Sequence, residues 1–112
     1  MPKPELEFFD TDEIPWKKAK EFDKAWVKIL SEDPDTGSHT RLLKLEPGFQ
    51  NEKSAVHDCW EEVYMIKGSF TDLRLDKKFS EGMYACRPPG MEHGPWKSEN
   101  GCLLFEIRMY KG

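Results

Sequence analysis

Cys102-Leu103-Leu104-Phe105-Glu106-Ile107-Arg108-Met109-Tyr110 alternates: Leu103, Phe105, Ile107 and Met109 fall on one face, and Cys102, Leu104, Glu106 and Arg108 on the other. Successive side chains of a strand point to opposite faces, so this run predicts a β-strand with one apolar and one mixed face. Similar short runs precede it: AWVKIL (25–30), RLLKLE (41–46), EVYMIK (62–67), FTDLRL (70–75) and MYACR (83–87). Between them stand SEDPDTGS, Pro47-Gly48, Gly68, DKKFSEG and Pro88-Pro89-Gly90. Strand-length runs separated by turn residues predict an all-β domain. A single open sheet would leave one face and two edges uncovered, so a barrel or sandwich is expected.

The chain has 112 residues, enough for one core and one domain. Only 38% of residues are hydrophobic, but 12% are aromatic, and a few large side chains can fill a small barrel. Acids outnumber bases, 21 to 17, with no basic run, which argues against a nucleic-acid partner. No apolar stretch approaches a membrane span, and MPKPELEFFDTDEIPW lacks the apolar centre of a signal peptide. A cytoplasmic protein is expected. Cys59, Cys86 and Cys102 are odd in number and lack C-x-x-C spacing, which suits free thiols in a reducing compartment.

Residues 1–30 read as an N-terminal arm ahead of a barrel domain at 31–112. A helix competes between Lys17 and Lys28, where Phe22 and Trp26 are loosely spaced after Pro15, but the extended reading is preferred. Phe8, Phe9, Trp16, Phe22 and Trp26 give this arm more apolar surface than a polar tail needs, so it is expected to pack on the barrel or across a homodimer interface.

Three histidines are present. His39 lies in a turn-rich stretch and reads as a solvated loop residue. His57 ends one run, Glu61 begins the next, and His93 follows a Pro-Gly turn, so a closed barrel can bring the three to one point. Two imidazoles and a carboxylate suit a divalent transition metal (Fe, Mn, Ni or Zn) and leave positions open for substrate. The alternative is that they are hydrogen-bonded barrel residues with no metal.

Gly82, five residues, Pro88, one residue, Gly90, two residues and His93 resemble the second motif of the cupin superfamily. His57, three residues, Glu61, six residues and Gly68 resemble its first motif from the second histidine onward. The resemblance covers residues 40–110, and WEEVYMIKGSF and YACRPPGMEHGPW further resemble small single-domain cupins of the ChrR-like type, a group similar to acetylacetone-cleaving dioxygenases. It implies a double-stranded β-helix (jelly-roll) barrel and a metal set of three histidines and one glutamate. Here Ala55 takes the place of the first histidine, reducing the set to His57, Glu61 and His93. Cys59 is a candidate replacement ligand, and Glu62 is the fallback carboxylate if the register differs by one.

Tyr84 is a candidate proton donor if its strand face turns inward. Glu106 and Arg108 share a face and can orient an anionic substrate or form a surface pair. Trp60 and Trp96 can wall a pocket or simply pack. The expected function is a small metalloenzyme, dioxygenase-like or an isomerase or lyase, acting on an oxygen-chelating substrate such as a dicarbonyl or hydroxyketone. The competing expectation is a non-catalytic binding or sensing module with a degenerate metal site.

Overall fold

The computed structural model describes residues 2–111. Among them a short 3-10 turn (Thr11–Glu13) precedes β1 (Lys17–Lys18), β2 (Ala25–Glu32), β3 (His39–Leu45), β4 (Phe49–Gln50), β5 (Ala55–Val56) and β6 (Trp60–Asp72). Then follow β7 (Lys77–Ser80), β8 (Tyr84–Arg87), β9 (Glu92–His93), β10 (Trp96–Ser98) and β11 (Cys102–Met109). All pairings are antiparallel. The main sheet runs β1-β2-β3-β11-β6-β10-β4, with β7 and β8 also on β6, while β5 and β9 form a separate ladder.

β11 lies between β3 and β6, and its mixed face is the inner one: Cys102, Leu104 and Glu106 are buried, whereas Leu103, Phe105 and Ile107 are half-buried outside. Charged groups can face inward because each finds a partner there. β3 contributes Arg41, Leu43 and Leu45 to the same interior, and β6 contributes Glu61, Val63 and Met65. Phe49, Phe70 and Trp96 complete the core from the other half of the sheet. Burial of such a side chain stabilises the fold by roughly 1.5–3 kcal/mol.

Two of the expected strands prove to be one. β6 runs through Gly68 without a break and exchanges neighbours there, leaving β8 and β11 for β7 and β10. Its inward positions change phase at this corner, from Glu61, Val63 and Met65 to Phe70 and Asp72. Gly68 has φ +83°, and a Cβ there would collide with the Gly101 carbonyl and lie 2.8 Å from Cys102 Cα. Glycine thus bends the strand instead of ending it. Residues 73–75 turn the chain, with Asp72 Oδ1 accepting from the backbone N–H groups of Arg74 and Leu75.

The N-terminal segment is extended, with no helix between Lys17 and Lys28. β2 crosses residue 30 and pairs with β3 as an ordinary member of the sheet. The aromatics divide. Phe22 turns in and meets Phe49 and Trp96 edge-on at 5.5 and 6.1 Å, Trp16 lies beneath the ammonium groups of Lys28 and Lys44, and Phe8 and Phe9 are exposed.

Candidate metal centre

Register builds the site. On β6, Glu61 is directly opposite Arg87 of β8 on one side and Arg108 of β11 on the other. Sheet neighbours on one face lie close enough to interact, so a carboxylate is set between two guanidinium groups by strand pairing alone. His93 lies on the small ladder, where Ala55 faces it and Val56 faces Glu92, and His57 follows directly after the end of β5. Gly90, at φ +85°, donates its N–H to the His57 carbonyl at 3.0 Å and fastens the Pro-Gly turn to the other histidine's segment.

Glu61 is fully buried at the centre. Its Oε1 accepts from Arg87 Nη1 at 2.8 Å and lies 4.0 Å from His93 Nε2; its Oε2 accepts from Arg108 Nε at 2.8 Å and lies 4.0 Å from His57 Nε2. Arg108 Nη2 also contacts His57 Nε2 at 3.4 Å. The ligand atoms of His57, Glu61 and His93 all lie within 4.8 Å of one another. Metal–nitrogen and metal–oxygen bonds are about 2.0–2.2 Å, so atoms at this spacing can share one ion after the side chains close by a few tenths of an ångström or more. The donor set fits, and the triad can hold a metal ion.

Burial, reinforced by Arg87, lowers His93 to about 4, and burial with Arg108 lowers His57 as well, so both imidazoles are neutral at pH 7 and have a lone pair to offer. Burial alone would raise Glu61, but Arg108 and then Arg87 outweigh it and hold the carboxyl below its usual range. Arg108 is disfavoured by burial and more than compensated by Glu106 and Glu61, so it stays charged.

With the barrel and its inward triad in view, comparison with known proteins places the chain. It matches the ChrR cupin-like domain over residues 5–110. The chain belongs to this cupin family. Its fold is that of an RmlC-like cupin from Shewanella frigidimarina (15% identity, 99% of this chain and 96% of that one, TM-score 0.78). An acetylacetone dioxygenase from Acinetobacter johnsonii is similar over 95% of this chain and 74% of that one, at 17% identity and TM-score 0.74. A protein from Nostoc punctiforme, provisionally called a dioxygenase, is 25% identical over 90% of this chain with TM-score 0.81, and the present chain spans only 35% of its length. No curated protein sequence matches the chain.

In this cupin Glu106 and Arg108 are inside the barrel. Glu106 accepts from Arg41 Nε at 2.6 Å, and Arg108 bridges Glu61 and His57. Tyr84 is not brought to the cluster. β8 turns Ala85 and Arg87 inward and Tyr84 and Cys86 outward, and the Tyr84 hydroxyl donates to Glu62 on the outer face. That hydrogen bond keeps the phenol protonated well above its usual range. The inward carboxylate is therefore Glu61, not Glu62. Cys59 is buried but lies outside the ligand group, near Tyr110. His39 is half-buried, with Nδ1 2.8 Å from the Gly37 carbonyl and its ring stacked on Tyr110. Trp96 walls the interior beside His93, at 5.0 Å between ring centroids, whereas Trp60 is exposed.

Arg41 and Arg87 escaped the sequence reading. Alternation carried a signal for both: Arg41 shares a face with Leu43 and Leu45, and Arg87 lies at the other phase from Tyr84. The cluster opens in two directions. On the Arg87 and His93 side lies a cavity of about 140 Å³ with an apolar wall of Met65, Phe70, Phe79 and Met83. On the other side a wide mouth is lined by Phe22, Asn51, Ser54, His57 and Arg108.

Proposed function

We propose that this cupin is a small metalloenzyme, dioxygenase-like, acting on an organic substrate that presents two oxygens, such as a dicarbonyl or hydroxyketone. The convergence of His57, Glu61 and His93 within 4.8 Å, between a wide mouth and an apolar cavity, carries the reading. The name of the Acinetobacter johnsonii protein supports the substrate class. A divalent ion on these residues supplies Lewis-acid polarisation of two substrate oxygens, and iron adds redox chemistry with dioxygen.

The chain's own residues would do the rest. Arg108, at the mouth, would hold an anionic substrate oxygen, since guanidinium forks suit paired oxygens. Glu106 positions Arg41 and is too engaged to meet substrate. The apolar cavity would receive the substrate's hydrocarbon part and exclude water from it. Tyr84 contributes to the wall of that cavity, not a proton.

The test is metal content of protein purified without chelator, beside His57→Ala and His93→Ala, with oxygen uptake on dicarbonyls as the second readout. Near-stoichiometric metal that both variants lose, with uptake lost alongside it, is the expected result. Ala55 in place of a fourth ligand and the two arginines on Glu61 favour a second reading, a binding module without turnover. Ligand binding with no uptake after reconstitution with iron, manganese, nickel and zinc would decide for it.

A cytoplasmic setting and a homodimer complete the proposal. The three cysteines are free, as a reducing compartment would keep them. The outer face of β6, β8 and β11 presents a contiguous apolar surface for a second copy.

A further inference from the structure

Arg108 contacts two of the three candidate ligand atoms. Its Nε donates to Glu61 Oε2 at 2.8 Å, and its Nη2 lies 3.4 Å from His57 Nε2. A guanidinium can only donate, so His57 must accept at Nε2 and carry its proton on Nδ1. A carboxylate oxygen has two lone pairs and can serve an arginine and a metal together. An imidazole nitrogen has one. His57 Nε2 cannot accept from Arg108 and ligate an ion at the same time.

Arg87 differs. Its hydrogen bond to the triad is to Glu61 Oε1, which keeps a second lone pair; toward His93 it acts through its charge and not through the ligand nitrogen's lone pair. Charge adds to the conflict, because three arginines (Arg41, Arg87, Arg108) and two glutamates (Glu61, Glu106) are gathered in the same interior, with Glu21 at the rim 3.4 Å from Arg41. A dication entering this cluster meets carboxylates already held by guanidinium groups, so it competes with them for Glu61. Arg108 also lines the wide mouth, so it has space into which to move.

We propose that Arg108 is a resident cation that competes with the metal for His57 and Glu61, and that once displaced into the mouth it binds an oxyanion, a carboxylate or enolate of the ligand. Metal and oxyanion then bind with positive coupling, because each stabilises the same displaced arginine. The inference rests on the triad being a metal site and adds the order in which its charges are exchanged.

Zinc, which is diamagnetic, allows a direct reading by NMR of the arginine side chains in chelator-treated protein. The Arg108 Nε–H resonance, assigned by its loss in Arg108→Met, is expected to be sharp and protected without metal and to shift or exchange away as zinc is added, while that of Arg87 persists. By calorimetry, Arg108→Met should bind zinc at least about tenfold tighter, the scale of one lost charge-assisted hydrogen bond. Acetate should tighten zinc binding to the unsubstituted chain and lose that effect in the variant.

An Arg108 signal unmoved at saturating zinc would overturn the competition, as would equal or weaker zinc binding by folded Arg108→Met. Acetate dependence retained in the variant would overturn the oxyanion role. Should the variant not fold, the NMR titration on the unsubstituted chain decides alone. Failure of both chains to bind iron, manganese, nickel or zinc would refute the metal reading itself, an outcome distinct from zinc bound with Arg108 in place.

Discussion

Ala55 faces His93 across the β5–β9 ladder, beside the triad, in the place where the cupin motif has its first histidine. Restoring that ligand with Ala55→His is expected to raise metal affinity by about tenfold or more, since even groups behind the ligands act on that scale; competition against a fluorescent chelator measures it. Glu106 tests the other half of the interior. It is buried with Arg41 at 2.6 Å, and removing one partner strands the other. Glu106→Ala should cost about 3–5 kcal/mol in urea unfolding. The thiols give a third measurement. Burial pushes Cys102 up to about 11 and raises Cys59, whereas Cys86 is exposed. A thiol reagent at pH 8 should leave Cys59 and Cys102 until the chain unfolds, because the reactive species is the thiolate, and should modify Cys86 only as fast as the outer face is uncovered by dissociation of the dimer.

Gly68 shows at the level of the strand what a single position decides. Gly68→Ala must hold φ near +83° and move the Gly101 carbonyl, so a loss of at least about 1–3 kcal/mol is expected in thermal or urea unfolding. The same residue explains where the sequence was legible and where it was not. Short apolar runs between turn residues located β2, β3, β8 and β11, and alternation gave the two faces of β11. The same runs divided β6 at Gly68, since a corner inside a strand and a turn between strands look alike in one dimension. The strands β4, β5, β9 and β10 are two or three residues each, too short to show a period, and owe their pairing to partners far along the chain. The triad was readable from motif spacing. Of its arginine partners Arg108 was read only as a substrate anchor or surface residue and Arg87 not at all, because the inner face of a strand is expected to be apolar, and only pairing across β8, β6 and β11 shows that both are set against Glu61.

The whole molecule has a marked outer face. Trp60, Tyr64, Ile66, Tyr84 and Met109 are exposed, and register makes them neighbours: Met109 opposite Trp60, Tyr84 opposite Tyr64. An apolar surface on one side of a sheet is suited to a two-fold contact, because the same patch can meet itself. Light scattering at micromolar concentration is expected to give a dimer mass, and Tyr64→Lys together with Trp60→Glu a monomer mass; a monomer before substitution would refute the interface. The aromatic surface of the N-terminal segment points the same way only for Phe8 and Phe9, since Phe22 is spent on the core and Trp16 on the two lysines.

The small ladder of β5 and β9 forms a sheet apart from the main one; it carries His93 and leads directly into His57, while Glu61 belongs to the main sheet. Anything gripping all three is a clasp between two sheets that share no ladder. Its residence time should then follow the unzipping of a ladder two residues long, so that hydrogen exchange at the amides paired within that ladder would become a clock for ligand release.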